Sequence, residues 1–124
     1  TIYPEDTLLV QSRATQLAKH ILLTWEQCLF DEIDELYSLD FIGNDNASIF
    51  YHHDLRQRMH SLLSSTKDRR FSLRGGAALA GNMLTFQCSH QWRRQQDDCF
   101  CLVDLLMVHQ IADNKIDRLW IIPV

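Results

Sequence analysis

Three side chains in this sequence have the type and setting for proton-transfer chemistry: Asp45, His90 and Asp104. Asp45 closes the run Phe41-Ile-Gly-Asn-Asp45. In an apolar mouth, desolvation raises a carboxylate's pKa and makes it a general base. Among Gly43, Asn44 and Asn46 the same residue also suits a turn or cap. His90 falls on the apolar side of an alternating run, where an imidazole either relays protons near neutral pH or sits hydrogen-bonded in a core. Asp104 lies between Val103 and Leu105. Facing inward it needs a partner, which His90 or the Arg74 region offers. If the strand register slips by one residue, it becomes a solvated surface acid.

The elements that must position these residues are legible from periodicity. In Asn82–Trp92, Leu84, Phe86, Cys88, His90 and Trp92 occupy one side, and Met83, Thr85, Gln87, Ser89 and Gln91 the other. That alternation predicts a strand with one buried face. Cys99–Ile111 and Lys115–Ile122 are two further strands joined by a hairpin at Asp113-Asn114, residues that tolerate the positive φ of a primed turn. Counting from Ala112 opposite Lys115 pairs Val108 with Leu119, Leu106 with Ile121 and Asp104 with Pro123. That count turns Asp104, Leu106 and Val108 inward. Arg70–Leu79 is expected to pair with the 82–92 strand, Phe71 opposite His90, with a bend or bulge at Gly75-Gly76.

Upstream, Val10, Ala14, Leu17, Ala18, Ile21, Leu22, Trp25 and Leu29 make a helical stripe that starts near Pro4. Leu39–Asp45 is a short strand. A third helix is expected from Ala47-Ser48 to Ser65, with Phe50, Leu55, Met59, Leu62 and Leu63 inward and Arg56, Arg58 and Lys67 solvated.

At 124 residues the chain reads as one domain, 1–124, with room for a genuine core. Its 46% hydrophobic and 23% charged content is ordinary for a globular chain. A net charge of −4 argues against nucleic-acid binding as the main role. No apolar run is long enough for a membrane span, and no signal peptide is visible. Cys28, Cys88, Cys99 and Cys101 lack metal-ligand spacing and read as free thiols in a reducing cytoplasm; no metal or cofactor is expected.

Helix, short helix, short strand, helix and a curled meander ending in Asn-Lys-Ile-x-Arg-Leu-Trp resembles the nuclear transport factor 2-like superfamily. Tyr37-Ser-Leu-Asp-Phe-Ile-Gly-Asn-Asp45 is similar to that group's Tyr-x-x-Asp-x-x-x-x-Asp segment, and Asp113-Asn-Lys-Ile116 to its Asp-Gly-Lys-Ile turn. The resemblance implies an α+β cone: N-terminal helices packed on a strongly curved antiparallel sheet around an internal pocket. It places Asp45 where ketosteroid isomerases keep their general base. The isomerases' oxyanion-hole positions fall on Ile21 and on Val108 or Met107, which are not donors. Sheet-to-sheet homodimers are also implied, consistent with a convex face carrying Met83, Thr85, Met107, His109 and Trp120.

The expected pocket is lined by Trp25, Tyr37, Phe41, Phe71, Phe86 and Cys88, with Leu106, Val108, Leu119 and Ile121 from the last two strands. Such a lining suits a small hydrophobic molecule. The leading reading is binding of that molecule with proton transfer of isomerase, dehydratase or cyclase type, Asp45 accepting a proton and His90, oriented by Asp104, donating or relaying one. The alternatives are a non-catalytic dimerisation or protein-binding module, and a protein like the small subunit of a ring-hydroxylating dioxygenase.

Overall fold

A computed structural model describes the backbone of residues 4–124 and the side chains of residues 11–124. The expected burial of Val10 lies outside the described residues. The helical stripe forms α1 (Pro4–Glu26), and Ala14, Ala18, Ile21 and Leu22 are buried along it. A 3-10 turn (Phe30–Glu32) and a single helical turn, α2 (Ile33–Leu36), lead into β1 (Tyr37–Asn44). After β2 (Ile49–Tyr51) comes α3 (His52–Ser65), then four long strands: β3 (Thr66–Ala80), β4 (Met83–Arg94), β5 (Phe100–Ala112) and β6 (Lys115–Pro123). One six-stranded sheet results, in the order β2-β1-β6-β5-β4-β3, antiparallel except between β1 and β6.

The third helix starts later than its sequence suggests. Ser48 does not cap it. The Ser48 N–H and hydroxyl both donate to Asp45 Oδ1, which turns the chain so that Ile49–Tyr51 can pair with Ile42–Asn44. The helix opens instead after Tyr51, whose backbone N–H donates to Asp54 Oδ2 at 2.8 Å.

Besides a register shift between Tyr37 and Ile42 where β1 meets β6, three irregularities interrupt the sheet. Between Arg74 and Ala78 the β3 register shifts, with Gly75 at φ +75°, as the Gly75-Gly76 pair suggested. A second shift lies at Asp68 (φ 52°), between Lys67 and Arg70. The third is decisive for the site. The hairpin forms at Asp113 and Asn114, both with positive φ, and Ala112 pairs with Lys115 as expected. Immediately afterwards Ile111 pairs with Ile116 and Gln110 with Arg118, so Asp117 is an extra residue in β6.

That bulge reverses the expected faces of β5. His109 pairs with Leu119, Met107 with Ile121 and Leu105 with Pro123, and all three turn toward the helices. Asp104, Leu106 and Val108 lie on the convex face, which corrects the placement derived from counting back from the turn. His109 and Met107, expected on the convex side, are buried.

Beneath the helices, Tyr37, Phe41, Phe86, Ile21, Ile33, Leu55, Met59 and Leu84 are almost fully buried. Phe41 packs edge-on against Tyr37 at 4.9 Å and tilts against Phe50 at 5.7 Å. This aromatic line fixes how deep the concavity runs.

Candidate functional site

A cavity of about 530 Å³ opens between α1, α3 and the concave face of the sheet. Its walls are apolar: Ile21, Leu22 and Trp25 from α1, Phe71 from β3, Leu105 and Met107 from β5, and Leu119 and Ile121 from β6. Polar groups gather at the α3 side, where Gln57, Arg58, Ser61 and Ser65 border the space together with Asp45. His90 enters it from β4.

Of the ten residues expected to line the pocket, Trp25, Phe71, Leu119 and Ile121 do so. Tyr37, Phe41, Phe86 and Cys88 are buried in the core instead, and Leu106 and Val108 face outward. Trp25 Nε1 donates to the Tyr37 hydroxyl at 2.8 Å, so the buried phenol braces a wall residue. Burial pushes the Tyr37 pKa up to about 12, against the Trp25 hydrogen bond, and the phenol stays protonated.

His90 is the polar group inside the apolar part. Its ring stacks on Phe71 at 3.9 Å and lies 4.4 Å from Trp92. Its Nε2 is buried with no hydrogen-bond partner among the described residues. Burial, with the positive charge of Arg69 second, lowers the His90 pKa to about 4. The imidazole is therefore neutral at physiological pH.

Asp45 sits at the rim. Its Oδ1 accepts from the N–H groups of Ala47 and Ser48 and from the Ser48 hydroxyl, and its Oδ2 accepts from Arg58 Nη2 at 3.0 Å. Partial burial pushes this carboxyl up, but the Ser48 and Ala47 N–H groups and Arg58 outweigh it and hold the pKa below the ordinary value. Both the turn role and the proximity to an apolar mouth are thus present in one residue.

Asp104 does not join them. On the convex face it accepts a 2.6 Å hydrogen bond from the Ser89 hydroxyl, which accepts in turn from Arg74 Nη1 at 3.0 Å. The expected link from Asp104 to His90 is absent because their side chains leave opposite faces of the sheet. Its other expected partner, Arg74, is the one it reaches, through Ser89.

Arg58 was expected on the solvated side of its helix. Instead its guanidinium carbon lies 3.9 Å from the Phe50 ring centroid, at the cavity rim. The signal was present in the spacing: Leu55, Arg58, Met59 and Leu62 stand at i, i+3, i+4 and i+7, the inward stripe. Among the described residues no three His, Cys, Asp or Glu side chains come together as a metal site. No described helix is long and apolar enough to cross a membrane.

Comparison of the architecture with solved structures is informative. A nuclear transport factor 2-like protein of unknown function from Exiguobacterium sp. 255-15 superposes over 83% of this chain and 93% of its own, with a TM-score of 0.71 and 15% identity. The chain has the nuclear transport factor 2-like fold. Within this fold it is also similar to a candidate SnoaL-like polyketide cyclase from Shewanella putrefaciens CN-32 (TM-score 0.78, 8% identity, 90% of this chain and 89% of that one). A third similar structure is an LEH-like epoxide hydrolase from M. tuberculosis (TM-score 0.76, 9% identity, 92% and 84%). No family profile matches the sequence, and no curated protein matches it. At these identities the nuclear transport factor 2-like fold is shared, and the chemistry has to be argued from the side chains.

Proposed function

We propose that this protein binds a small, mainly apolar molecule in the cone, and that His90 meets the polar group of that molecule. The observation that carries the reading is His90 itself, which lines an otherwise apolar stretch of the cavity and whose buried Nε2 has no hydrogen-bond partner among the described residues. Leaving a buried polar atom unpaired costs about 1–3 kcal/mol, a cost that a ligand hydroxyl or carbonyl group would relieve. Similar structures named for cyclase and epoxide-hydrolase chemistry support a ligand pocket of this kind.

Any turnover in this pocket is proton transfer of isomerase, dehydratase or cyclase type, centred on His90. Asp45 would take a proton only after surrendering Arg58 or its turn donors, and Asp104 has no access. The tight occupation of Asp45 is also what favours the second reading, a binding module without catalysis. The four free cysteines accord with a reducing cytoplasm.

His90→Phe separates a ligand-binding histidine from a core histidine. Phenylalanine keeps the stack on Phe71 and removes the unpaired nitrogen, so stability should rise by about 1 kcal/mol in urea melts. The same variant should bind poorly. In a thermal-shift panel of testosterone, 1-tetralone and coumarin, a compound at ten times its Kd raises the wild-type Tm by roughly 5 °C. The shift should shrink in His90→Phe. An unshifted wild type across the panel, with His90→Phe destabilised, would count against the pocket reading.

A second copy of the chain is the proposed partner of the convex face. Trp120 and Ile122 are exposed there beside Val108 and Leu106, and exposed Leu102 and Phe100 continue the same face of β5 beyond Asp104. Sedimentation equilibrium should show a dimer that Ile122→Lys converts to monomer; a monomeric wild type at high micromolar concentration contradicts this.

A further inference from the structure

The rim of the cavity is built around a cation rather than a base. Both oxygens of Asp45 are occupied, Oδ1 by three donors from Ala47 and Ser48 and Oδ2 by Arg58. A carboxylate engaged at this many positions has little left to offer a ligand. What it does is hold Arg58 in place. The guanidinium rests over the Phe50 ring at 3.9 Å and is tethered at its edge by Asp45, so its plane is fixed between α3 and the β1–β2 turn. Phe50 is itself buried and lies where a side chain on Gly43 would go, which makes the platform rigid.

Only Nη2 of Arg58 has a hydrogen-bond partner among the described residues. Nε and Nη1 have none there, and the Arg58 side chain, part of the cavity lining, is 36% exposed. Asp45 balances the formal charge of Arg58, but its oxygens are taken up by four donors whereas the guanidinium keeps unbonded N–H groups, so the pair presents donors rather than acceptors to a ligand. Farther in, the walls are apolar and the polar group present, His90, is neutral at physiological pH. The layout therefore has a direction: free guanidinium donors at the mouth, an uncharged interior.

Building on the pocket reading above, we infer that the ligand is an acid: a small aromatic or polycyclic molecule whose anionic group bonds to Arg58 at the rim while its mainly apolar body runs inward between Trp25, Phe71 and Met107 and brings a second polar group to His90. A neutral molecule of the same shape fits the walls but leaves the fork of Arg58 to water. Charge-assisted hydrogen bonds at a half-exposed site account for about a tenfold preference for the acid.

Two dyes of nearly equal apolar shape test this directly. 1-Anilinonaphthalene-8-sulfonate carries an anionic group that N-phenyl-1-naphthylamine lacks, and both fluoresce when desolvated. The wild type should bind the sulfonate about tenfold more tightly, and in Arg58→Gln the ratio of the two Kd values should fall toward one. The wild type alone supplies a second readout: raising potassium chloride to about 0.5 M should weaken the sulfonate and spare the amine. Leu62→Trp, which fills the mouth, should reduce binding of both dyes. If the amine binds and the sulfonate is no better, or keeps its advantage in Arg58→Gln or its full affinity in Leu62→Trp, the acid-ligand inference is overturned while the pocket stands. If neither dye binds, the pocket reading itself fails.

Discussion

Lowering the pH from 7 to 4.5 is expected to remove roughly 3–4 kcal/mol of this protein's folding stability, a large share of what a domain this size ordinarily has. Two imidazoles cause it. His109 is fully buried against Phe86, with rings 5.1 Å apart; its Nδ1 donates to the Leu84 carbonyl at 3.3 Å, and its Nε2 has no partner. Burial lowers its pKa to about 4, against the Leu84 hydrogen bond, and His90 is lowered to about 4 by burial and Arg69. In the unfolded chain both titrate near 6.5, so between pH 6.5 and 4 the unfolded state binds more protons than the native state. Their stability contribution is complete above pH 6.5, drains as pH falls and is gone below about 4. His109 contributes up to about 3 kcal/mol over that window, and the partly exposed His90 contributes less because solvent screens it. Asp45, Asp97 and Asp98, all with lowered pKa, begin to lose their contribution only below about pH 4, so the imidazoles own the earlier loss. Urea melts between pH 7 and 4.5 measure this slope. His109→Phe should remove more than half of it; a flat profile above pH 5 contradicts the burial of both rings.

Gly43→Val is expected to cost about 1–3 kcal/mol and to dismantle the rim of the cavity. Gly43 pairs with Phe50 on one side and Leu119 on the other. Its φ is ordinary, and the need for glycine is steric: a Cβ there would lie within 3.0 Å of three carbons of the Phe50 ring. The ring cannot retreat easily, because Phe41 packs against it at 5.7 Å and Arg58 lies over it. Valine must therefore expel Phe50, and Arg58 loses its platform. Denaturant titration gives the stability. A second substitution, Phe50→Leu, should recover part of the loss in the Gly43→Val background; no recovery would show that the clash is not with the ring.

Much of the fold was legible because the sequence states its periods plainly. The α1 stripe from Ala14 to Trp25, the alternation of β4, the Asp113-Asn114 hairpin and the Gly75-Gly76 bulge each rest on local rules that tertiary context did not override. The faces of β5 were misread for one reason. Asp117 is an extra residue with no glycine to announce it, and every side chain beyond it changes sides. A clue existed: Ile116 and Leu119 both point inward, and a spacing of three is impossible in a regular strand. Taking Leu119 as inward and its partner as His109 would have removed Asp104 from the pocket and put His109 in the core. β2 was hidden for a different reason, since three residues carry no period and Asp45 and Ser48 imitate a helix cap. Arg58 was missed because charge was allowed to outrank spacing.

Ligand binding by this protein rests on His90 meeting the bound molecule inside the cone. The measurement closest to that claim is the ring ¹⁵N and ¹H spectrum of the histidines during titration with N-phenyl-1-naphthylamine. The His90 ring signals should move saturably with the dye's own binding curve, while exposed His20, His53 and His60 stay fixed. Saturable binding with His90 unmoved would place the molecule elsewhere and contradict the account.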